Sequence, residues 1–183
     1  QVTGGVGGRV FQWDGSLHDL GAPDGVFGEG VGINDRGQIL GNSVDRGFLY
    51  DHGTWRELGT LRGGWTVARG LNNLGRVTGV SDGHAFLYDG AIHDLGTLQG
   101  STGFSLGEAV NDAGVVAGTS SSDDGLEHAF IYDGTMRDIG IAAYVVSIGD
   151  INDQAWVVGA TGSSGMPDRM FFYDGSVHDL GGF

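Results

Sequence analysis

Five copies of one sequence unit, spaced about 40 residues apart, run through the 183-residue chain. One half of the unit places an aspartate three residues after a phenylalanine, as in Phe86 and Asp89. A short segment follows it, consisting of an acidic residue, then Leu or Ile, then Gly. The five aspartates are Asp14, Asp51, Asp89, Asp133 and Asp174. The other half occurs four times as an apolar residue, Asn, and Asp or Asn, with a glycine seven residues after the first Asn. Its asparagines are Asn34, Asn72, Asn111 and Asn152. Self-similarity with this period predicts an array of like structural units.

Each unit predicts four short antiparallel strands, called strands a to d in chain order. Strand a ends at the Asn-Asp turn, strand b is the apolar run after it, strand c contains the phenylalanine, and strand d ends at the acidic-Leu-Gly segment. Asn and Gly favour tight hairpins at these places because they tolerate positive φ. Four-stranded units of this length are typical of propeller blades. We therefore predict an all-β fold, a five-bladed β-propeller forming a single domain over 1–183, with a four-unit ring plus a half-unit as the alternative.

The alignment of the units also predicts where the blades begin and end. The approximate boundaries are 1–21, 22–59, 60–96, 97–140 and 141–183. Residues 1–15 align without a gap on residues 76–90, so the first unit starts at its strand b. We expect the first blade to lack its inner strand. Such an open edge would allow a homo-oligomer to form through the incomplete blade.

Charge and composition exclude several classes of function. The formal net charge of −14 argues against non-specific binding to nucleic acid. All nine basic residues are arginine, which excludes Schiff-base and P-loop lysines, and the absence of cysteine excludes thiolate sites. No apolar run approaches the length of a membrane span. We expect no nucleic-acid partner, no membrane span, no metal and no cofactor.

Several short motifs resemble a known family. They are the triplets His84-Ala-Phe86 and His128-Ala-Phe130, the Ile-Asn-Asp-x-Gly turns, and Asp-Leu-Gly-Thr-Leu at 94–98. Together they resemble the bacterial HAF-repeat family of extracellular proteins over nearly the whole chain. The resemblance implies a propeller-like protein that is extracellular or in the cell envelope, and it implies no activity and no catalytic residues. The segments Arg46-Gly-Phe48 and Arg169-Met-Phe171 depart from the triplet.

Strand a carries the residues that break the repeat. Its aromatic residues are Phe27, Trp65 and Phe104, with Tyr144 in the last unit, and its charged residues are Glu29, Arg69, Glu108 and Asp150. Plain alternation along a strand would put Glu29, Arg69 and Glu108 on one face of their strands. The connections from b to c and from d to a account for nearly all length variation between units. Variable loops on one face usually carry the function of a repeat scaffold.

Aromatic walls with a few converging charges are typical of a small-ligand pocket. We therefore expect a secreted propeller that binds a glycan or small polar ligand on the variable-loop face near the central channel. One alternative is a small-molecule enzyme (a lyase, isomerase, cyclase or hydrolase) with Glu108 as acid/base and Arg69 as electrostatic clamp. Another is a structural extracellular repeat without a ligand, in which Arg69 and Glu108 pair with each other and the aromatic residues pack between blades.

Overall fold

Five antiparallel sheets make up the protein, in agreement with the all-β prediction. The computed structural model describes residues 1–163 and 166–182. Within these residues the only helix is a single 3₁₀ turn, Gly100–Thr102. Consistent with that, no helix in the described part of the chain is long and apolar enough to cross a membrane.

Each sheet is a meander whose strands pair in chain order. The first sheet has three strands, β1 (Val2–Val6), β2 (Arg9–Trp13) and β3 (Leu17–Gly21). The second has β4 (Glu29–Ile33), β5 (Ile39–Ser43), β6 (Arg46–Asp51) and β7 (Thr54–Glu57). The third has β8 (Thr66–Leu71), β9 (Val77–Ser81), β10 (His84–Tyr88) and β11 (Ile92–Asp94). The fourth has β12 (Ser105–Val110), β13 (Val116–Ser121), β14 (Glu127–Tyr132) and β15 (Met136–Ala143). The fifth has β16 (Val145–Ile151), β17 (Val157–Ser163), β18 (Met166–Tyr173) and β19 (Val177–Gly182).

The hydrophobic core lies between consecutive sheets. Leu40, Leu49 and Leu58 of the second sheet pack with buried residues of the third, among them Val77 and Phe86. The same kind of cluster joins the third sheet to the fourth and the fourth to the fifth. At each junction the strand a of the later sheet lies against the sheet before it. This serial packing of four-stranded meanders fits a β-propeller. No strand pairing joins the fifth sheet to the first within 1–163 and 166–182.

The Asn-Asp turns link neighbouring sheets at the end of the molecule opposite the variable loops. The Asn34 side-chain amide donates to the Asn72 carbonyl at 2.9 Å, and Asn72 donates to the Asn111 carbonyl at 2.7 Å. Asn111 continues the series by donating to the Asn152 carbonyl at 2.9 Å. These hydrogen bonds give the repeated asparagine a structural role, because each one ties a turn to the next sheet.

One pair of a basic and an acidic side chain recurs in all five sheets and explains why arginine stands where the His-Ala-Phe triplet has histidine. An arginine or histidine two residues before the strand c phenylalanine contacts the acidic residue of strand d. The pairs are Arg9–Asp19, Arg46–Glu57, His84–Asp94, His128–Asp138 and Arg169–Asp179. Arginine and histidine therefore fill the same structural position.

His128 makes part of the protein's stability dependent on pH. Burial alone would lower the pKa of His128, but its ring N–H groups donate to Asp138 at 2.7 Å and Asp124 at 2.9 Å, and the net effect raises the pKa. The stabilisation is complete below the ordinary histidine pKa and is lost as the pH rises through the raised value. We expect the free energy of unfolding to fall by less than about 1 kcal/mol over this window, as for other partly exposed ion pairs. Urea unfolding on either side of neutral pH measures the fall.

The control variant is His128→Arg, which keeps a cation at this position at every pH, as Arg46 and Arg169 do in their sheets. It should remove the part of the pH dependence that His128 contributes, while the His84–Asp94 pair is present in both proteins. An identical pH profile for the variant and the wild-type chain would contradict this account.

Candidate functional site

A β-bulge interrupts strand a in each of the four complete sheets. In the third sheet Ala68 pairs with Gly79 and Gly70 with Thr78, which leaves Arg69 without a partner residue on strand b. The four bulged residues are Val31, Arg69, Glu108 and Gly149. A bulge breaks the alternation of side chains, so the assumption of plain alternation along strand a is wrong at these positions. Bulges also redirect the side chain of the extra residue, and here the extra residues are those that differ between units.

The glycine of strand b makes the bulge sterically feasible. A Cβ atom at Gly79 would lie on the Val67 carbonyl oxygen and within 2.9 Å of the Ala68 Cα. At Gly118 and Gly159 a Cβ would likewise meet a strand a carbonyl, that of Leu106 and that of Ser147. In the third, fourth and fifth sheets the glycine seven residues after the repeated Asn is thus required for the close approach of strand a.

A cavity of about 450 Å³ opens between the second and third sheets. Its walls come from strand a of both sheets and from the end of β5. The lining residues are Phe27, Glu29, Gly30, Val31, Asn42, Val44, Val67, Ala68 and Arg69. The structure therefore brings three of the sequence-predicted site residues together, namely Phe27, Glu29 and Arg69. The volume lies within the range of small-ligand sites.

Two charged side chains line the cavity. Both Arg69 and Glu29 are exposed. Within the described residues neither side chain makes a hydrogen bond or a salt bridge to another protein group. A guanidinium and a carboxylate on opposite walls can hold hydroxyl groups, and the guanidinium can also hold a carboxylate or phosphate.

Asn42 fixes the backbone beside Arg69. Its side-chain amide donates to the Ala68 carbonyl at 3.0 Å, and its side-chain oxygen accepts the Ala68 N–H at 2.9 Å. Both backbone polar groups of Ala68, the residue before the bulge, are thus bonded across the junction between sheets. This pair of hydrogen bonds fixes the backbone on the N-terminal side of Arg69, so the guanidinium extends from a fixed main chain.

Asp24 positions the aromatic wall. Its carboxylate accepts the Ser43 hydroxyl at 2.5 Å and the backbone N–H groups of Val26 and Phe27 at 2.8 and 3.1 Å. The hydrogen bond from Ser43 and those from the two backbone groups lower the pKa of Asp24 to about 2. The carboxylate is consequently ionised at all physiological pH values and holds the loop before β4 in place. The Phe27 ring lies over Gly8 of the first sheet and is nearly half exposed.

Val44 forms a strained part of the cavity wall. Its φ is 32°, in the left-handed region that β-branched residues rarely adopt, and its side chain is exposed. Asp82 holds the same position in the third sheet and has a φ of 50°. The conformation therefore belongs to the two-residue turn that joins strand b to strand c, at Ser43–Arg46 and at Ser81–His84.

A second cavity of about 310 Å³ adjoins the first on the other side of Phe27 and Glu29. Its lining residues are Gly5, Val6, Gly7, Gly8, Phe27, Gly28 and Glu29. Phe27 and Glu29 thus stand between two cavities, one at each junction of the second sheet with its neighbours.

The remaining predicted site residues lie outside the cavity next to Arg69. Trp65 and Phe104 hold the same strand position as Phe27 and are partly exposed, and their backbone N–H groups donate to Asp82 at 3.0 Å and to Ser121 at 2.8 Å. Tyr144 lies in the bend between β15 and β16, and Asp150 lies on β16. Both are exposed, and the Asp150 carboxylate accepts the Ile151 N–H at 2.8 Å. The three aromatic positions are thus similarly anchored, but only Phe27 lines the larger cavity.

Glu108 connects the fourth sheet to the fifth. One carboxylate oxygen accepts the Ile148 N–H at 2.5 Å, and the other accepts the Thr119 hydroxyl at 3.3 Å. Burial raises the pKa of Glu108, and these hydrogen bonds and the charge of Arg69 oppose the increase. No salt bridge joins Glu108 to Arg69 in the described part of the chain. These contacts tie the Glu108 side chain to both the fourth and the fifth sheet.

Sequence reasoning missed Asp24, Asn42 and Val44. Asn42 had a usable signal, because the other complete units carry Val80, Thr119 and Ala160 at its position. Asp24 and Val44 had none, since one lies in a loop of variable length and the other is distinguished by its backbone conformation.

Comparisons with known proteins give structural matches only. No family model matches the sequence, and no curated protein is significantly similar to it. The structure of Pyrococcus horikoshii acylaminoacyl peptidase matches 96% of this chain with a TM-score of 0.61 and 14% identity. The likeness is one of fold. The chain spans 30% of the length of that peptidase, whose activity is therefore not transferred to it.

Two structures of a fungal lectin from Aleuria aurantia match less well. The lectin described as a six-bladed β-propeller with a novel mode of fucose recognition has a TM-score of 0.47, 14% identity, and coverage of 96% of this chain and 70% of the lectin. Its mutant in complex with α-methyl-L-fucoside has a TM-score of 0.43 and 14% identity, with 97% and 75% coverage. These scores carry no argument about the ligand of the present protein.

Proposed function

We propose that this chain is a glycan-binding or small-polar-ligand-binding propeller whose site is the cavity between the second and third sheets. The observation that carries the proposal is the convergence of an exposed aromatic ring, a carboxylate and a guanidinium, Phe27, Glu29 and Arg69, in one cavity of about 450 Å³. A sugar offers the matching chemistry, because its C–H face packs on an aromatic ring while its hydroxyl groups bond to charged side chains.

The proposal includes the architecture and location of the protein, in which the five sheets are consecutive blades of a propeller. The HAF-like motifs support a secreted or cell-envelope protein. The unused charges of Arg69 and Glu29 favour a binding role over a purely structural repeat. The hydrogen bonds of Glu108 to groups in two sheets favour a binding role over the enzyme alternative, which needs Glu108 as acid/base.

Replacing Arg69 tests the proposal. Native mass spectrometry with a panel of neutral and acidic oligosaccharides would identify a bound ligand by its unchanged mass. Arg69→Ala should weaken that complex about tenfold or more, because a hydrogen bond from a charged donor contributes about 1.5–3 kcal/mol. Phe27→Ala should weaken it by a smaller factor through the loss of ring contact.

The matched control is Arg56→Ala. Arg56 is an exposed arginine on the outer strand β7 and does not line the cavity. Equal affinity of the wild-type chain, Arg69→Ala and Phe27→Ala would contradict the proposed site, and so would an equal loss in the Arg56 variant.

A further inference from the structure

The fifth sheet exposes a face that is covered in every other complete sheet. Each sheet has one side against which the next sheet packs, and we call this side the following face. In the second sheet this face includes Leu40 and Leu58, which are 0% and 4% exposed. The corresponding residues of the fifth sheet, Val158 and Leu180, are 44% and 56% exposed, and Met170 between them is 38% exposed. The apolar pattern of an interior junction is therefore present at a place where no sheet packs on it within the described residues.

The series of asparagine hydrogen bonds ends at the same face. The side-chain amides of Asn34, Asn72 and Asn111 each donate to the backbone carbonyl of the asparagine in the next sheet. The Asn152 side-chain oxygen accepts the backbone N–H groups of Gln154 and Trp156, as its counterparts do in their own turns. Within the described residues its amide nitrogen has no acceptor in the protein, and Asn152 is exposed while the other three are buried.

The backbone gives a second, parallel series. The N–H group after each asparagine donates to a side-chain oxygen in the next turn, from Asp35 to Asn73, from Asn73 to Asp112 and from Asp112 to Asp153. In the described chain no further turn accepts from Asp153. The hydrogen-bond donors of Asn152 and Asp153 and the apolar side chains of the fifth sheet thus have the same arrangement as at the three interior junctions. The partner that fits this face can therefore be inferred from those junctions.

At each interior junction the occupant is strand a of a repeat unit with its Asn-Asp turn. It supplies small or apolar residues to the following face, and two acceptors, the asparagine carbonyl and the next side-chain oxygen. The four strands a of this chain are β4, β8, β12 and β16, and each is already paired within its own sheet and packed against the sheet before it. Within residues 1–163 and 166–182, a second copy therefore has no unoccupied strand a to offer.

We propose that the following face of the fifth sheet is a docking surface for strand a of a further repeat unit, an extended segment that ends in an apolar residue followed by Asn-Asp. Val158, Met170 and Leu180 contact its apolar residues, and Asn152 and Asp153 donate to its turn. This inference rests on the repeat architecture and is independent of the ligand site at Arg69.

A peptide with the sequence of residues 104–116 tests the docking surface, because it comprises strand a of the fourth unit with its turn. Fluorescence anisotropy of the labelled peptide with the intact protein should show saturable binding. Leu180→Asp should weaken it about tenfold or more by placing a charge on the buried apolar contact, and Asn152→Ala should weaken it several-fold. Leu180→Asp changes an exposed side chain and should keep the wild-type unfolding midpoint, whereas Asn152→Ala also removes the turn hydrogen bonds to Gln154 and Trp156 and should lower the midpoint slightly.

Two controls define the result. Leu17→Asp alters an exposed leucine of the first sheet and should leave binding unchanged, and a peptide with Asp in place of Val110 should not bind. Absence of saturable binding, or binding insensitive to Leu180→Asp, would overturn the proposal. So would concentration-dependent dimerisation of the intact chain in sedimentation velocity that Leu180→Asp abolishes, because the occupant would then be a second copy.

Discussion

Phe86→Ala is expected to lower the free energy of unfolding by about 3–5 kcal/mol, the usual loss for a fully buried phenylalanine. The Phe86 ring has no exposed surface and belongs to the cluster between the second and third sheets. It also lies against Gly79 of its own sheet, where a Cβ would be 3.0 Å from the ring. Removing the ring therefore opens a cavity at a junction between sheets and within one sheet at once. Urea unfolding followed by tryptophan fluorescence measures the loss.

The matched control is Phe11→Ala, at the same position of the repeat in the first sheet. Phe11 is only partly buried, because that sheet has three strands and no sheet packs before it in the described residues. We expect a distinctly smaller loss there. Equal losses at Phe86 and Phe11 would mean that the junction between sheets contributes little, against the packing described above.

Gly79→Ala is expected to destabilise the protein by about 3 kcal/mol, at the upper end of the range for overpacking. Its Cβ would lie on the Val67 carbonyl oxygen and 2.9 Å from the Ala68 Cα, so the change pushes strand a away from strand b. Since Ala68 precedes the bulged Arg69, the ligand site should be distorted together with the fold. Urea unfolding gives the stability, and the native mass spectrometry assay gives the binding.

Gly32→Ala serves as its control within a strand a. No atom lies within 4 Å of a Cβ built at Gly32, and its φ is not in the left-handed region. We expect this variant to be neutral or slightly stabilising, because alanine restricts the unfolded chain more than glycine does. A Gly79 variant as stable as the Gly32 variant would show that strand b does not need glycine for the bulge.

The sheets and their strands could be predicted because the repeat makes their signals redundant. The Asn-Asp turns and the phenylalanine of strand c recur at nearly constant spacing, so alternation and turn chemistry agree in every unit. The three-stranded first sheet followed from the alignment of residues 1–15 on residues 76–90, and the structure confirms it. The recurring ion pair was hidden, because His84 and Arg46 look unrelated until their partners in strand d are seen.

The site was predictable only in part, since a bulge cannot be read from alternation. Sequence reasoning grouped Arg69 with Glu108 because both occupy the same position of strand a. The structure shows that this position is the bulge, and that Arg69 opens into a cavity while Glu108 turns towards Ile148 and Thr119. The surroundings of the bulged residue differ between units because the side chains that face it from the next sheet differ. The distances between these side chains depend on tertiary packing, which the sequence does not show.

The most direct test of the proposed site is an NMR titration of ¹⁵N-labelled protein with the oligosaccharide found by mass spectrometry. The account predicts that chemical-shift changes concentrate on the backbone amides of Phe27, Glu29 and Arg69 and on the Asn42 side-chain amide. Arg69→Ala should abolish these changes, and Arg56→Ala should preserve them. Changes centred on other sheets, with the amides around Arg69 unmoved at saturation, would contradict the assignment of the binding site to this cavity.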